Sequence, residues 1–416
     1  MLSEIVMKLC TMGSNKLVTT FNAVMTEVFT GLSPSEVVIL AERTPERDFK
    51  PLEEALSYLG VKSEVRVDEV GEDLENWRAL SNSLECDVLD VTPGRKFMAL
   101  MAAASDCQDV RYVYLRNESK GYRVFGYVPF HELRVVELKG KGEHKLVPRP
   151  TVRGRTVELN WEELTALWNL LSLWGEPEIE LSQDGYVEFS GTIKELLNHD
   201  ECEPCLTRSG MLTYQEEELL IEKVKLGDKL ALDTNVFINV GDRLSELVGK
   251  AVVPLTVVYD ELVRLAEYTG RPTPQAKRAL MGLSSYTKLH PRPVDRPVRT
   301  GGDKGIIEEV VTRKSTAGNL WLVTGDKRLY SMCSASGVQA VLLGSKKRSS
   351  HSEKVGSLMA CLSFLYSVKI RVSGKEACEL RATEPSGRNV EVKPVDNTLA
   401  YGGLIKVLSS ASSGSP

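Results

Sequence analysis

Over the first 140 residues, short apolar runs alternate with segments whose apolar residues recur every three or four positions. Strand-like EIVMKL, EVVILAE, SEVRVDE, CDVLDVT and VRYVYLR are separated by helical patterns over residues 17–29, 49–59, 74–84 and 96–104. Repeated βα alternation predicts a parallel sheet. Two of the loops that follow its strands have ligand-loop chemistry. TMGSNKLVTTF sets Thr11, Gly13, Ser14 and Asn15 ahead of a helix, and DVTPGRKFMAL sets Thr92, Gly94, Arg95 and Lys96 at a helix N-terminus. Backbone N–H groups there, with two cations, favour a phosphate-bearing ligand. Neither the GxGxxG dinucleotide fingerprint nor the GxxxxGKS phosphate loop is present in these loops.

This stretch, about residues 1–138, resembles the CARF domain, the CRISPR-associated Rossmann fold. The resemblance lies in the βα order and in DVTPGRK, which fits the pattern Asp-x-Thr-x-x-x-Lys with Asp90, Thr92 and Lys96. It implies a homodimer that binds cyclic oligoadenylate, with two loops from each copy meeting the ring across the dimer axis. Carried over by position, Gly13, Ser14, Asn15, Thr92, Gly94, Arg95 and Lys96 are the ligand candidates, and Asp90 buttresses its loop.

A second pattern begins at LALDTNVFI, residues 230–238, where Asp233 closes a short apolar run. An acid at the end of a strand costs desolvation unless something cationic meets it. Three downstream segments carry acids in comparable places. VVPLTVVYDELVRL passes from a strand-like run into a helical one with Asp260 and Glu261 in its first turn. TGGDKGIIEEVV puts Asp303 at the start of a helical stripe of Ile306, Ile307, Val310 and Val311, and LWLVTGDKRLY is a strand running into Thr324 and Asp326. Taken singly, each acid is explained by helix capping or the helix dipole. In an open α/β sheet, however, the carboxyl ends of the strands converge on one crevice. Several carboxylates crowded there require a hard cation, and an all-oxygen set suits Mg2+ or Mn2+. Such an ion activates water and stabilises in-line displacement at phosphorus.

In order and spacing, LDTNVF, the glutamate of VYDEL, GGDKGII and VTGDKRL resemble the PIN-domain nucleases over about residues 228–345. The resemblance implies metal binding by Asp233, Glu261, Asp303 and Asp326, with Asn235 and Thr324 bracing their loops. Glu261 is preferred to Asp260 because the family places its acid directly before Leu.

Charge agrees with a polyanionic substrate. Residues 228–348 carry 19 Lys and Arg against 12 Asp and Glu, a net of +7, whereas the whole 416-residue chain is at −5. Such asymmetry points to nucleic acid at the basic part. Aromatic residues are few there, Phe237, Tyr268, Tyr286, Trp321 and Tyr330 being the candidates for base stacking, and no base-reading code is visible.

Between the two patterns, Asn160 and Glu163 form a capping box for a helix through Leu171, and EIELSQDGYVEFSG reads as a hairpin turning at Asp184-Gly185. Helices at 193–197 and 215–224 would complete either a winged-helix-like module or a plain linker domain. Beyond the nuclease pattern, residues 352–368 read as a helix, and KIRVSG, ACELRAT and NVEVKP as strands of an appended sheet. The Ser-rich tail from Ser409 reads as disordered. One CxxC pair, Cys202 and Cys205, is weak evidence for zinc, and an incidental or structural role is expected. No apolar run reaches the roughly 18 to 20 residues that span a bilayer. The N-terminal residues lack a basic segment and a cleavage site, so a cytoplasmic location is expected.

The fold expected is therefore α/β: a Rossmann-like CARF domain (1–138), a small α+β connector (150–226), a PIN-like nuclease domain (228–345), a C-terminal α+β extension (350–408) and a disordered tail (409–416). The function these resemblances imply is a cyclic-oligoadenylate-activated, metal-dependent endoribonuclease of type III CRISPR defence, acting foremost on single-stranded RNA, with DNA left open by the sequence. Two alternatives remain open on the sequence, a ligand-responsive DNA-binding regulator or DNase with a PIN-fold domain, and a ring nuclease that degrades its own cyclic oligoadenylate.

Overall fold

The computed structural model describes residues 7–43, 49–267, 272–290, 300–349, 352–385 and 389–412. They form an α/β protein of two compact units. The first comprises Met1–Glu180, Lys369–Leu380 and Glu391–Pro416, and the second Leu181–Val368 and Arg381–Val390.

The first unit is built on a seven-stranded sheet of β1 (Lys8–Met12), β2 (Glu36–Ala41), β3 (Glu64–Glu69), β4 (Val88–Asp90), β5 (Asp109–Leu115), β6 (Leu133–Glu137) and β7 (Glu143–His144). Its order is β3-β2-β1-β4-β5-β6-β7, parallel through β5 and antiparallel at β6 and β7. β1, β2 and β4 are almost wholly buried, as strands covered by helices on both faces must be. The helices Leu17–Phe29, Lys50–Tyr58, Leu74–Ser81 and Lys96–Ala103 lie where the apolar periodicity predicts them. Since β1 is flanked by β2 on one side and β4 on the other, the direction of winding reverses between β1 and β4. That reversal opens a crevice at the carboxyl ends of these two strands.

A second sheet has the strand order Tyr186–Thr192, Glu178–Gln183, Ser367–Val372, Lys375–Ala382, Val390–Pro394, Val157–Leu159. The expected hairpin is present, with Asp184 and Gly185 both at positive φ, as a two-residue turn of this kind requires. The capping box is present too. Asn160 accepts from the N–H groups of Glu162 and Glu163, while Glu163 accepts from the N–H of Asn160.

Two departures from the sequence reading concern chain ends and helix starts. Ser409 does not begin a disordered tail: the helix Tyr401–Ser412 runs on through it, and residues 413–416 lie outside the described residues. The helix itself is unannounced in the sequence, because Gly402 and Gly403 depress its propensity. Gly403 lies against the ring of Tyr58, so close that a Cβ would sit 2.7 Å from it. The strand expected across VVPLTVV is only Val252–Val253, since Pro254 ends it and the helix Thr256–Ala266 begins two residues later. Asp260 and Glu261 thus fall in the second turn of that helix rather than its first.

The second unit contains a four-stranded parallel sheet in the order Val252–Val253, Lys229–Leu232, Leu320–Thr324, Ala340–Leu342. Leu230, Leu232, Leu322 and Val323 are fully or almost fully buried at the centre of its core, with Phe237, Val258, Leu262, Ile306 and Val310 from the surrounding helices. The cysteines follow no metal pattern. Cys205 is joined to Cys361, 156 residues away, and Cys10 to Cys86, whereas Cys202 is a free, buried thiol. Among the described residues no helix is long and apolar enough to cross a membrane.

Candidate functional site

In the second unit, Asp233 ends the central strand Lys229–Leu232 and caps the helix Thr234–Asn239. The carboxylate is 4% exposed. Its Oδ1 accepts from the Thr234 N–H at 2.6 Å and its Oδ2 from the Thr324 hydroxyl at 2.9 Å. Thr324 lies at the end of the neighbouring strand Leu320–Thr324, and its Oγ1 also accepts from the Asp326 N–H at 2.9 Å. The Thr234 hydroxyl donates to Glu261 Oε2 at 2.6 Å. One chain of bonds therefore runs from Asp326 through Thr324, Asp233 and Thr234 to Glu261.

Asp303 stands apart from that chain, on the first turn of the helix Gly302–Ala317, 4.0 Å from the Arg328 guanidinium. Asp326 caps its own helix, accepting from the N–H groups of Arg328 and Leu329. Asn235, expected to brace a loop, is exposed on the first helical turn, and Thr234 makes the bond to the acid instead. The helices bearing Asp303 and Glu261 are locked by the fully buried Glu309, which accepts from the N–H groups of Thr256 and Val257 and pairs with Arg313.

Burial, with smaller contributions from the charges of Glu261 and Asp326, pushes the Asp233 carboxyl up to about 6 against the hydrogen bonds from Thr324 and Thr234. The four acids do not bring their oxygens within 4.8 Å of one another, a closeness found among the described residues for Asp109, Glu137 and His144 alone. A wide all-carboxylate set fits a cation that keeps part of its water shell, as Mg2+ does. Thr324 thus touches both Asp233 and the Asp326 backbone without being an expected ligand.

The expected basic surface is largely engaged elsewhere. Lys346 pairs with Glu203, Lys347 with Glu218 at 2.9 Å, and Arg348 bonds to Asn198, while Lys288 pairs with Asp242. Arg271, Arg292, Arg296 and Arg299 lie outside the described residues.

In the first unit, a cavity of about 510 Å³ opens at the carboxyl ends of β1 and β4. Of the ligand candidates, Ser14, Thr92, Gly94, Arg95 and Lys96 line it, whereas Gly13 and Asn15 do not. Gly13 instead packs against β2, where a Cβ would come within 2.9 Å of the Ala41 Cβ, and it donates to the Leu40 carbonyl. Gly94 adopts φ +91° against Met12, so its lack of a side chain is needed on both counts. Asp90 is the expected buttress: fully buried, it accepts from the Thr92 N–H at 2.7 Å, and the Thr92 hydroxyl in turn accepts from the Val113 N–H.

A third wall escaped the sequence reading. Lys120, Tyr122 and Arg123 line the cavity from the segment after β5, tied to the first helix by Asn22, which donates to the carbonyls of Gly121 and Arg123. The Lys16 ammonium sits 3.9 Å from the centre of the Tyr122 ring. Arg95 pairs with Glu42 at 3.1 Å yet stays 63% exposed, so it can turn toward a ligand phosphate. A cavity with guanidinium, ammonium, helix N–H groups and an aromatic ring suits a ligand that carries both phosphates and bases.

No protein-family model matches the chain, and no curated protein does. Among solved structures, Can2 from Sulfobacillus thermosulfidooxidans, in complex with cyclic tetra-adenylate, aligns over 85% of this chain and 98% of its own at 8% identity and a TM-score of 0.29. Protein VC1899 from Vibrio cholerae aligns over 84% of this chain and 95% of its own, at 8% identity and a TM-score of 0.28. Scores this low do not establish a common fold, and the functional reading rests on the residues.

Proposed function

We propose that the chain is a ligand-gated, metal-dependent nuclease, in which the first unit binds a cyclic oligoadenylate and the second hydrolyses phosphodiesters of single-stranded RNA in type III CRISPR defence in the cytoplasm. The observation that carries the ligand half is the cavity at the β1/β4 reversal, lined by Thr92, Gly94, Arg95 and Lys96. A cyclic ligand of repeating nucleotides has rotational symmetry, so a homodimer presenting two such cavities matches it.

For the nuclease half, Asp233, Glu261, Asp303 and Asp326 would hold Mg2+ or Mn2+. The ion would supply an activated water and charge neutralisation at the phosphorus. The residues of the chain supply the rest: Thr324 and Thr234 fix the Asp233 and Glu261 carboxylates, and Glu309 fixes the helices that carry Glu261 and Asp303. Gating requires that the ligand bind the cleavage-competent state more tightly than the other, since equal affinity shifts no equilibrium. The ligand half is tested by calorimetric titration of the full chain with cyclic tri-, tetra- and hexa-adenylate. R95E/K96E should lose at least about tenfold in affinity, two charge-assisted contacts to phosphate being reversed; unchanged affinity would place the ligand elsewhere.

A further inference from the structure

Beneath the cavity, three strands and a helix bring together polar residues that no step above uses. Thr11, Asp90 and Arg111 are register partners across β1, β4 and β5, so their side chains share the sheet face that meets the first helix. Glu27 of that helix reaches them. Glu27 and Asp90 are both fully buried, and the Arg111 side chain is 5% exposed. Each carboxyl uses one oxygen in a bond to the surroundings: Glu27 Oε2 accepts from Arg111 Nη1 at 2.7 Å, and Asp90 Oδ1 accepts from the Thr92 N–H. The other oxygens, Glu27 Oε1 and Asp90 Oδ2, are buried and have no partner, and neither has Thr11 Oγ1.

The charges do not balance if both acids are ionised. Among the described residues Arg111 is the one cation bonded to the pair, and it is shared with Asp109, to which it donates three bonds of 2.6 to 3.0 Å. Glu137, beside Arg111 on β6, is engaged with His144 at 3.0 Å. Arg149 donates to the carbonyls of Val28 and Leu32 on the helix side, and Tyr112 on β5 feels the Asp90 charge. None of these neutralises a second buried carboxylate, and two like charges buried side by side do not both ionise. A single proton between Glu27 Oε1 and Asp90 Oδ2 gives both orphaned oxygens a partner and leaves one negative charge against Arg111.

We infer that Glu27 and Asp90 share one proton at neutral pH, and that this pair is a positioning device holding the Thr92–Lys96 ligand loop through the Asp90–Thr92 bond. Burial raises both acids above their usual range, and each charge opposes or stabilises the other's ionisation, Glu27 being raised the further, to about 8. Glu27 is therefore the formal proton holder. Above that value the pair becomes doubly ionised, the two carboxylates repel, and the loop is released at the same pH at which negative charge builds beneath the phosphate site. The effect on ligand affinity rests on the cavity being the ligand site; the shared proton does not.

The test uses the full chain. At pH 7 its infrared difference spectrum against E27Q should show the carbonyl stretch of a protonated carboxylic acid, lost in the parent above about pH 9 and absent from D90N, in which Glu27 pairs with Arg111 as an ordinary carboxylate. Amide exchange of the 91–96 loop, corrected for intrinsic pH dependence, should accelerate about tenfold from pH 7 to 9.5 in the parent and not in E27Q, whose amide donates permanently. With cyclic tetra-adenylate as probe, parent affinity should fall about tenfold over the same interval and that of E27Q stay level. No such band, or a band unchanged in both variants, overturns the shared proton, and loop exchange that ignores the titration overturns the positioning role. A band and exchange as expected, with no nucleotide binding at any pH, would instead overturn the ligand reading.

Discussion

Replacing Asp233 by Asn is expected to reduce RNA cleavage by more than about 100-fold, beyond the loss typical of an outer-shell residue, and at the same time to make the cation-free protein more stable. The second half follows from the sign of the titration. The Asp233 carboxyl titrates near 6 in the folded chain, above its ordinary 3.8. Below the ordinary value both states are protonated; as pH rises through 6 the native state loses the advantage of having held its proton longer. At pH 7 the buried, ionised acid therefore costs stability, at most about 3 kcal/mol at roughly 1.4 kcal/mol per unit, and an amide of the same shape does not. Thermal melts in EDTA should rank D233N above the parent at pH 7, the gap closing toward pH 4. Added Mg2+ should stabilise the parent and leave D233N unmoved, because only a bound ion shifts the melt by mass action. A variant that melts below the parent in EDTA and responds to Mg2+ would remove Asp233 from the centre.

The largest stability effect outside the acids is expected at Arg208. Its guanidinium is buried in the second unit, where Nη1 donates to the carbonyls of Phe237 and Ile238 at 3.0 Å, and Nη2 to the Ser285 hydroxyl at 3.0 Å and the Met281 carbonyl at 3.4 Å. The first two carbonyls belong to the C-terminal turn of the helix that Asp233 caps at its other end, so one cation anchors the short helix behind the acid. Burial lowers the guanidinium to about 10, which still leaves it charged at neutral pH. In R208M the methionine fills much of the volume but satisfies none of these acceptors, and about 3 kcal/mol should be lost, measurable as a lower urea midpoint. Cleavage should fall with it at temperatures where the variant remains folded. A loss under about 1 kcal/mol would mean that water replaces the guanidinium.

These two residues mark what a sequence can and cannot disclose here. Asp233, Thr324 and Asp326 were legible because each lies at or just beyond the end of a buried strand, and a polar residue there has few structural uses. Glu261 was legible only through the family pattern, and its helix starts earlier than the apolar run suggests because Pro254 cuts the strand. The loops at β1 and β4 announced themselves by composition, yet Gly13 proved to serve packing against Ala41 rather than the cavity. Lys120, Tyr122 and Arg123 sit in a short 3-10 turn and the residue after it, where no periodicity signals placement. Arg208, Glu309 and the Cys205–Cys361 bond act across long sequence separations. Their partners become visible only when the chain is folded.

In the proposed function, a nucleotide signal bound in the first unit licenses hydrolysis by the second. Its most direct test is cleavage of a labelled single-stranded RNA by the purified full chain in Mg2+ or Mn2+, with and without cyclic oligoadenylates of different ring size. At least one ring should raise the rate about tenfold or more, and both D233N and R95E/K96E should abolish the increase. RNA cleavage by the parent that is the same with and without every ring, or cleavage that D233N leaves intact, would contradict it.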